Sequence, residues 1–204
     1  MDNQLIINVG RQVGSGGLVI AKLLAKHLDC TFYDKEILNL AAKESGFSEK
    51  FFERNDETKE YLRSRFHIHV PLLGETNFYN SDFSQEGLYK FQSEAIRKAA
   101  QQGNCVFVGR TADYILRDMK QKVDVFITAN LNDRIEAVAK RHNLSRTEAK
   151  KYIQNKEEER AGYYNYYTGK KWGAAESYDL CVNTSILGIE DTAQFIEQFI
   201  RLKR

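Results

Sequence analysis

The amino-acid sequence predicts an α/β protein with three layers, in which a five-stranded parallel sheet lies between two layers of helices (α/β/α). Short runs of β-branched and other apolar residues recur along the chain, and longer segments with helical periodicity separate them. These runs are apolar nearly throughout instead of alternating with polar residues, which is typical of strands buried on both faces of a parallel sheet. The 204 residues suit one domain, or one domain with a small appendage.

Five segments carry the strand pattern, and helical segments separate most of them. The predicted strands are QLIINV (4–9), CTFYD (30–34), NCVFVG (104–109), VDVFITA (123–129) and DLCVNT (179–184). Helices are predicted over 16–29, 34–45, 48–64, 85–102, 111–119, 131–142, 145–160 and 189–203. The Asn- and Ser-rich stretch 65–84 and the tyrosine-rich stretch 161–178 are predicted to be irregular. Because 145–178 is dense in charge and tyrosine, we expect it to be an appendage outside the core.

The composition excludes several classes of function. No apolar run approaches the roughly 18 residues of a membrane span, and the first residues lack the pattern of a signal peptide, so we expect a cytoplasmic protein with no membrane partner. A net charge of +2 argues against nucleic-acid binding over a large surface. The three cysteines form no CxxC pair and predict buried thiols, and no metal-ligand set is expected. The oligomeric state is left open.

The first predicted strand leads through a glycine-rich turn into the first predicted helix. Gly14, Ser15, Gly16 and Gly17 occupy this turn. In such a turn, main-chain N–H groups and the N-terminus of the helix converge on an anion, and glycines let the backbone approach it closely. The turn is therefore a candidate phosphate-binding loop.

Two other interpretations of the turn stay open. A tight strand-to-helix turn with no ligand also uses glycine. A dinucleotide fingerprint would use Gly14 and Gly16, with Asp34 about twenty residues further on as the ribose ligand, but Val19 stands where a third glycine or alanine is needed.

The loop lacks two residues that phosphoryl transfer normally uses. A P-loop NTPase has a lysine and then serine or threonine here, whereas this chain has Gly17 and Leu18. Main-chain amides bind phosphate but do not supply the cation that the transition state needs. Arg11 before the loop and Lys22 on the first helix are the candidates to supply it, and Arg11 is the better placed.

Five motifs of the chain, in order, resemble the cytidylate kinase-like family, a divergent branch of the nucleoside monophosphate kinases. They are GRQVGSGG (10–17), FYDKEIL (32–38), FVGRTADYIL (107–116), ITANLNDRI (127–135) and YDLCVNTSILGIE (178–190). The resemblance implies one P-loop kinase domain over 1–204, with a monophosphate-binding insertion at about 34–84 and a helical lid at about 141–178. It also implies the use of ATP, Mg²⁺ and a nucleoside monophosphate of the CMP or dCMP type.

The resemblance also implies roles for single residues. The loop 14–17 would face the donor phosphates, Asp34 would open the monophosphate-binding helix, and Arg110 would face the acceptor phosphate. Arg134 would open the helix that bears the lid, and Arg160 would lie on the lid near the phosphates; with Arg110 they are the candidate catalytic residues. Arg141, on a charged helix, is a separate candidate for binding the acceptor. Arginine suits this chemistry because its planar guanidinium donates two parallel hydrogen bonds to a pair of phosphate oxygens. The alternative is that these arginines lie on solvated helix faces and that Arg110 only caps a turn.

The chain departs from active cytidylate kinases at Gly17, at Val108, where those enzymes have an acid, and at Leu40, where they have an arginine. Two functions therefore remain open. The first is phosphoryl transfer from ATP to a nucleoside monophosphate, by positioning and charge neutralisation. The second is a nucleotide-binding module of the same fold with impaired catalysis and a sensing or protein-interaction role.

Overall fold

The computed structural model describes residues 4–34 and 85–203. They belong to two compact units, one formed by Met1–Phe32 with Gly103–Arg204 and the other by Tyr33–Gln102. Apart from Asp34, the predicted helices over 34–45 and 48–64 and the irregular stretch 65–84 lie outside the described residues, as does Leu40.

Five strands form one parallel sheet with the order β2-β3-β1-β4-β5. The strands are β1 (Ile6–Arg11), β2 (Thr31–Tyr33), β3 (Cys105–Val108), β4 (Lys122–Thr128) and β5 (Leu180–Asn183). The central strand β1 pairs with β3 on one side and β4 on the other, with Ile6 opposite Cys105 and Lys122. All five predicted strands are confirmed, so the carboxyl ends of β1, β3 and β4 meet at one edge of the sheet.

The described helices are α1 (Gly17–His27), α2 (Gln85–Gln102), α3 (Ala112–Ile115), α4 (Leu131–His142), α5 (Arg146–Thr168) and α6 (Thr184–Lys203). The predicted bounds of α2 and α4 agree with the structure, whereas the segment predicted over 111–119 is helical only at its start. A break at Gly188, with φ 78°, separates the first turn of α6 from the rest of that helix. None of the described helices is long and apolar enough to cross a membrane.

One face of the sheet packs against α1 and α6 and forms the main core. The strands contribute alternate residues of β1, β3 and β4 to it, and the helices contribute their apolar stripes. Fully buried members include Ile7, Val125, Ile127, Ile20, Leu24, Ile196 and Ile200. This core fixes β1 against α1, and so it fixes the turn that joins them.

The prediction that residues 161–178 are irregular is wrong for their first part, because α5 continues to Thr168. Ala149, Ile153, Tyr164 and Thr168 are buried at helical spacing along this helix. Its first half packs with Val13 in a second apolar cluster, so the expectation of an appendage outside the core is also wrong here. Tyrosines and a glycine predict a loop locally, but burial of a continuous helix face overrides that preference.

The three cysteines differ in exposure. Cys105 is buried and Cys30 is half-buried, but Cys181 is exposed, so the prediction of three buried thiols is wrong there. The physical reason is that Cys181 lies on β5, an edge strand of the sheet. Burial raises the pKa of the Cys105 thiol to about 12, which makes it a poor nucleophile.

Candidate functional site

The predicted phosphate loop connects β1 to α1 and has the backbone geometry that such a loop needs. Gly14 and Gly16 adopt φ values of 82° and 77°, in the left-handed region that favours glycine. Ser15 is buried, and its Oγ donates to the carbonyl of Gln12 at 2.9 Å. In the described chain the N–H groups of Val19 and Ile20 bond back to Gly16, which leaves the first amides of α1 available at its N-terminus.

Arg11 passes alongside Gly17, where other P-loops have the lysine. A Cβ at Gly17 would lie 2.5 Å from Arg11 Cβ, 3.1 Å from Arg11 Cγ and 3.2 Å from Ile127 Cβ. At the other end of the side chain, Nη1 of Arg11 contacts the position that a Cβ of Gly109 would occupy. Two glycines therefore make room for the Arg11 side chain, which runs from the start of α1 to the end of β3.

Arg110 lies in an unusual turn at the carboxyl end of β3. Gly109, Arg110 and Thr111 have φ values of 73°, 55° and 54°, so two residues with side chains occupy the left-handed region. Each such residue costs on the order of 1–2 kcal/mol, and backbone strain of this kind clusters at functional sites. The Cζ of Arg110 lies 5.2 Å from the ring centroid of Tyr163 on α5, which is within cation–π range.

The middle of α5 contacts the phosphate loop and its flanks through charged residues. Nη1 of Arg160 donates to the carbonyl of Arg11 at 3.0 Å. Burial lowers the pKa of the Arg160 guanidinium, and the nearby Glu157 opposes that shift. Oε1 of Glu157 accepts from the N–H of Val13 at 3.1 Å. The sequence prediction missed Glu157, which lies in the charged segment KEEER, interpreted as a solvated face.

A signal for Glu157 was present in the spacing of α5. Ile153, Glu157, Arg160 and Tyr164 follow one another at intervals of four, three and four residues, the spacing of one helix face. The apolar residue Ile153 and the aromatic residue Tyr164 at the ends of this row indicate that the face is covered, although not which part of the chain covers it.

Arg134, on α4, is brought to the loop and is buried, with 7% of its surface exposed. Its Nη1 forms an ion pair with Oε1 of Glu157 at 2.6 Å, whereas its Nε is buried and has no hydrogen-bond partner among the residues that the structure describes. Gly14 packs against the Arg134 backbone, since a Cβ there would lie 2.7 Å from the Arg134 carbonyl oxygen. The loop is thus held between α4 and α5.

A buried polar group links the Arg110 turn to α5. The hydroxyl of Tyr164 donates to Oδ2 of Asp113, in the first turn of α3, at 2.7 Å. Burial raises the pKa of the Asp113 carboxyl and, together with Asp113, that of the Tyr164 hydroxyl. Burial therefore disfavours the charged form of each group more than water does.

The other predicted residues take different positions. Arg141 is exposed in the last turn of α4, about two turns beyond Arg134. Asp34 directly follows β2 and belongs to the second unit. Lys22 is exposed, and its Nζ lies 5.7 Å from the ring centroid of Phe32.

The described residues do not fit a protein-held Mg²⁺ at the loop. Leu18 replaces the hydroxyl that would ligate it, and the hydroxyl of Ser15 is bonded to Gln12. Within 4–34 and 85–203, no group of three His, Cys, Asp or Glu residues could hold a metal ion.

A family model described as the cytidylate kinase-like family matches residues 6–186. The chain belongs to this family. The match spans the phosphate loop, the Arg110 turn and all of α5.

Curated relatives of this cytidylate kinase-like protein include two proteins named cytidylate kinase. One, from Sulfurisphaera tokodaii, is 23% identical over 96% of this chain and 95% of its own length. The other, from Pyrococcus horikoshii, is 29% identical over 90% of this chain and 81% of its own length.

Solved structures place the fold among the kinases. An uncharacterised protein of Eubacterium ventriosum is 25% identical, with a TM-score of 0.75 over 97% of this chain and 99% of that chain. A shikimate kinase of Bacteroides thetaiotaomicron, 15% identical, has a TM-score of 0.54 over 97% of this chain and 99% of its own. The predicted three-layer α/β/α P-loop kinase fold is therefore confirmed. Membership of the cytidylate kinase-like family makes the protein nucleotide kinase-like. The roles of individual site residues stay predictions.

Proposed function

We propose that this protein transfers the γ-phosphate of ATP to a nucleoside monophosphate of the CMP or dCMP type. The observation that carries the proposal is the position of Arg11, whose stem lies against Gly17 and whose guanidinium lies against Gly109. In this position Arg11 supplies, from the end of β1, the positive charge that the loop lysine supplies in other P-loops. The two relatives named cytidylate kinase support the choice of acceptor.

In this proposal the main-chain amides of residues 14–17 and the N-terminus of α1 bind the donor phosphates. Arg110 binds the acceptor phosphate, and Arg160 and Arg134 neutralise charge as it develops during transfer. Arg141 and Asp34 serve the acceptor, Asp34 at the entrance of the proposed insertion over 34–84. The reaction is one of positioning and electrostatic stabilisation, with no covalent intermediate.

The lid proposed over 141–178 contains α5, which carries Arg160. Mg²⁺ supplies charge neutralisation to kinase reactions when bound. Leu18 offers the ion no ligand, so the proposed use of Mg²⁺ assigns it no protein ligand at this position. A cytoplasmic location, expected from the sequence, belongs to the same proposal.

The test is an ADP-release assay with CMP, dCMP, UMP and AMP as acceptors, run on the wild type, Arg11→Met and Arg11→Lys. Methionine keeps most of the packing volume of Arg11 and removes its charge, so kcat/KM should fall about 100-fold, the size of losing one preorganised donor. Arg11→Lys should recover part of this loss. Arg146→Ala is the matched control, because Arg146 pairs with Glu136 on the surface, where both side chains are more than half exposed.

Turnover in Arg11→Met equal to that of the wild type would remove Arg11 from the site. The second candidate function is a nucleotide-binding module with impaired catalysis, which Leu18 favours because the metal-binding hydroxyl is missing. It predicts that ATP raises the Tm of the protein while no acceptor is phosphorylated.

A further inference from the structure

Glu157 makes two contacts with the phosphate site through a single carboxylate oxygen. Oε1 accepts from the main-chain N–H of Val13 at 3.1 Å and from Nη1 of Arg134 at 2.6 Å. A loop amide and an arginine fork are also what a protein offers to a phosphate oxygen. The carboxylate therefore has, in this structure, the partners that suit a bound anion.

Arg134 has further capacity to bind an anion. Its side chain is 9% exposed, and its Nε is buried without a partner in the described structure. Arginine carries five N–H donors, and a buried donor without a partner is costly. A second anionic oxygen beside Arg134 would satisfy that donor, which Glu157 leaves unsatisfied.

Neighbouring contacts place the pair of Glu157 and Arg134 beside the phosphate loop. Gly14 lies against the backbone of Arg134, and Arg160, three residues after Glu157, donates to the carbonyl of Arg11. Glu157 also opposes the lowering of the Arg160 pKa that burial causes. One carboxylate on α5 thus acts on two of the arginines assigned to phosphate binding.

We propose that Glu157 is an internal anion, a positioning residue that holds Arg134 and the Val13 amide until a phosphate group of the ligand replaces it at Arg134. This inference rests on the phosphate site of the proposed function and adds the group with which the ligand competes. Binding then exchanges one anionic partner of a buried guanidinium for another, so the charge of Arg134 is never left unpaired.

The experiment measures the affinity of the full-length protein for inorganic pyrophosphate and for ATP by calorimetry at fixed ionic strength. Glu157→Gln keeps the size of the side chain and removes the competing charge, so both ligands should bind about tenfold more tightly. Glu158→Gln is the matched control, since it makes the same charge change on an exposed residue of the same helix.

The variant Glu157→Asp distinguishes exchange of the carboxylate for a phosphate at Arg134 from simple electrostatic repulsion between the carboxylate and the ligand. The variant keeps the charge but is one methylene shorter, so it no longer reaches both partners, and the exchange predicts several-fold tighter binding of pyrophosphate. If only repulsion acts, Glu157→Asp leaves affinity unchanged, which overturns the proposal even where Glu157→Gln binds more tightly. Weaker binding by both variants shows a purely structural role and overturns it too.

These results are independent of phosphoryl transfer. Should no acceptor be phosphorylated, the proposed kinase function fails, yet tighter pyrophosphate binding by both Glu157 variants still supports the exchange. Should CMP be phosphorylated while the variants bind as the wild type does, the exchange alone is wrong. If Glu157→Gln does not fold, Glu157→Asp decides.

Discussion

Replacing Gly17 by alanine tests whether the absence of a side chain at this position is what accommodates Arg11. The new Cβ would lie 2.5 Å from Arg11 Cβ and 3.2 Å from Ile127 Cβ, although carbon atoms attract optimally at about 3.5–4.0 Å. Arg11 must therefore move by about 1 Å. Its route is restricted, because its guanidinium already lies against Gly109.

Overpacking of this kind costs about 1–3 kcal/mol. For a chain of 204 residues, this lowers the Tm by roughly 2–12 °C, at about 2–4 °C for each kcal/mol. We expect the displaced guanidinium to weaken ATP binding about tenfold as well, since a charge-assisted contact is lost. The loss should appear in the Kd for ATP measured by calorimetry.

Gly162→Ala is the control for Gly17→Ala, because it makes the same chemical change with the opposite expected sign. Gly162 is exposed within α5, and a Cβ there would meet nothing within 4 Å. Alanine should stabilise the helix by about 0.5–1 kcal/mol without affecting ATP binding. The reasoning is refuted if Gly17→Ala is as stable as the wild type and binds ATP equally well, for then Arg11 does not occupy the space next to Gly17.

Two further predictions concern the Arg110 turn. Tyr163→Leu removes the ring over Arg110, a contact worth about 0.5–2 kcal/mol, so the KM for CMP should rise about 2- to 30-fold while the KM for ATP stays the same. The control Tyr163→Phe keeps the ring and should behave as the wild type, and an equal rise in both KM values of Tyr163→Leu would contradict the role of Arg110. Burial raises the pKa of Asp113 above its ordinary 3.8. The stability that the protonated Asp113 carboxyl contributes is therefore fully present below pH 3.8 and is lost as the pH rises through the folded-state pKa. Asp113→Asn should therefore gain Tm relative to the wild type as the pH rises above 3.8, and a difference that does not vary with pH would show that the carboxyl is not perturbed.

Much of the fold could be predicted because local and tertiary preferences agree. β1 and β4 are mostly apolar and rich in β-branched residues, and most of their residues are buried, which is the environment that this composition favours. The bounds of α4 were predictable because turn residues and charge flank a clear apolar stripe. The end of α5 was not, since its tyrosines favour helix only once Tyr164 is buried against Asp113.

The candidate site was predictable where it depends on the backbone and less so where it depends on distant contacts. Gly14 and Gly16 indicated the loop because only glycine takes such φ values without strain. Glu157 was missed because its partners, Val13 and Arg134, lie 144 and 23 residues away along the chain. Charge patterns in a helix do not reveal which face is covered by a loop so remote in sequence.

Arg11 and Arg134 are held by different means, and the difference bears on how the loop functions without its lysine. A lysine reaches phosphate on a flexible four-carbon stem. Arg11 instead runs between Gly17 and Gly109, which fix both ends of its side chain by close contact, so in the proposed reaction its charge is in place before transfer and costs no reorganisation. Arg134 is fixed by the carboxylate of Glu157, which a phosphate can replace. Loss of Arg11 therefore acts on kcat as well as on binding, whereas changes at Glu157 act on ligand affinity, because only the second contact is exchanged when the ligand binds.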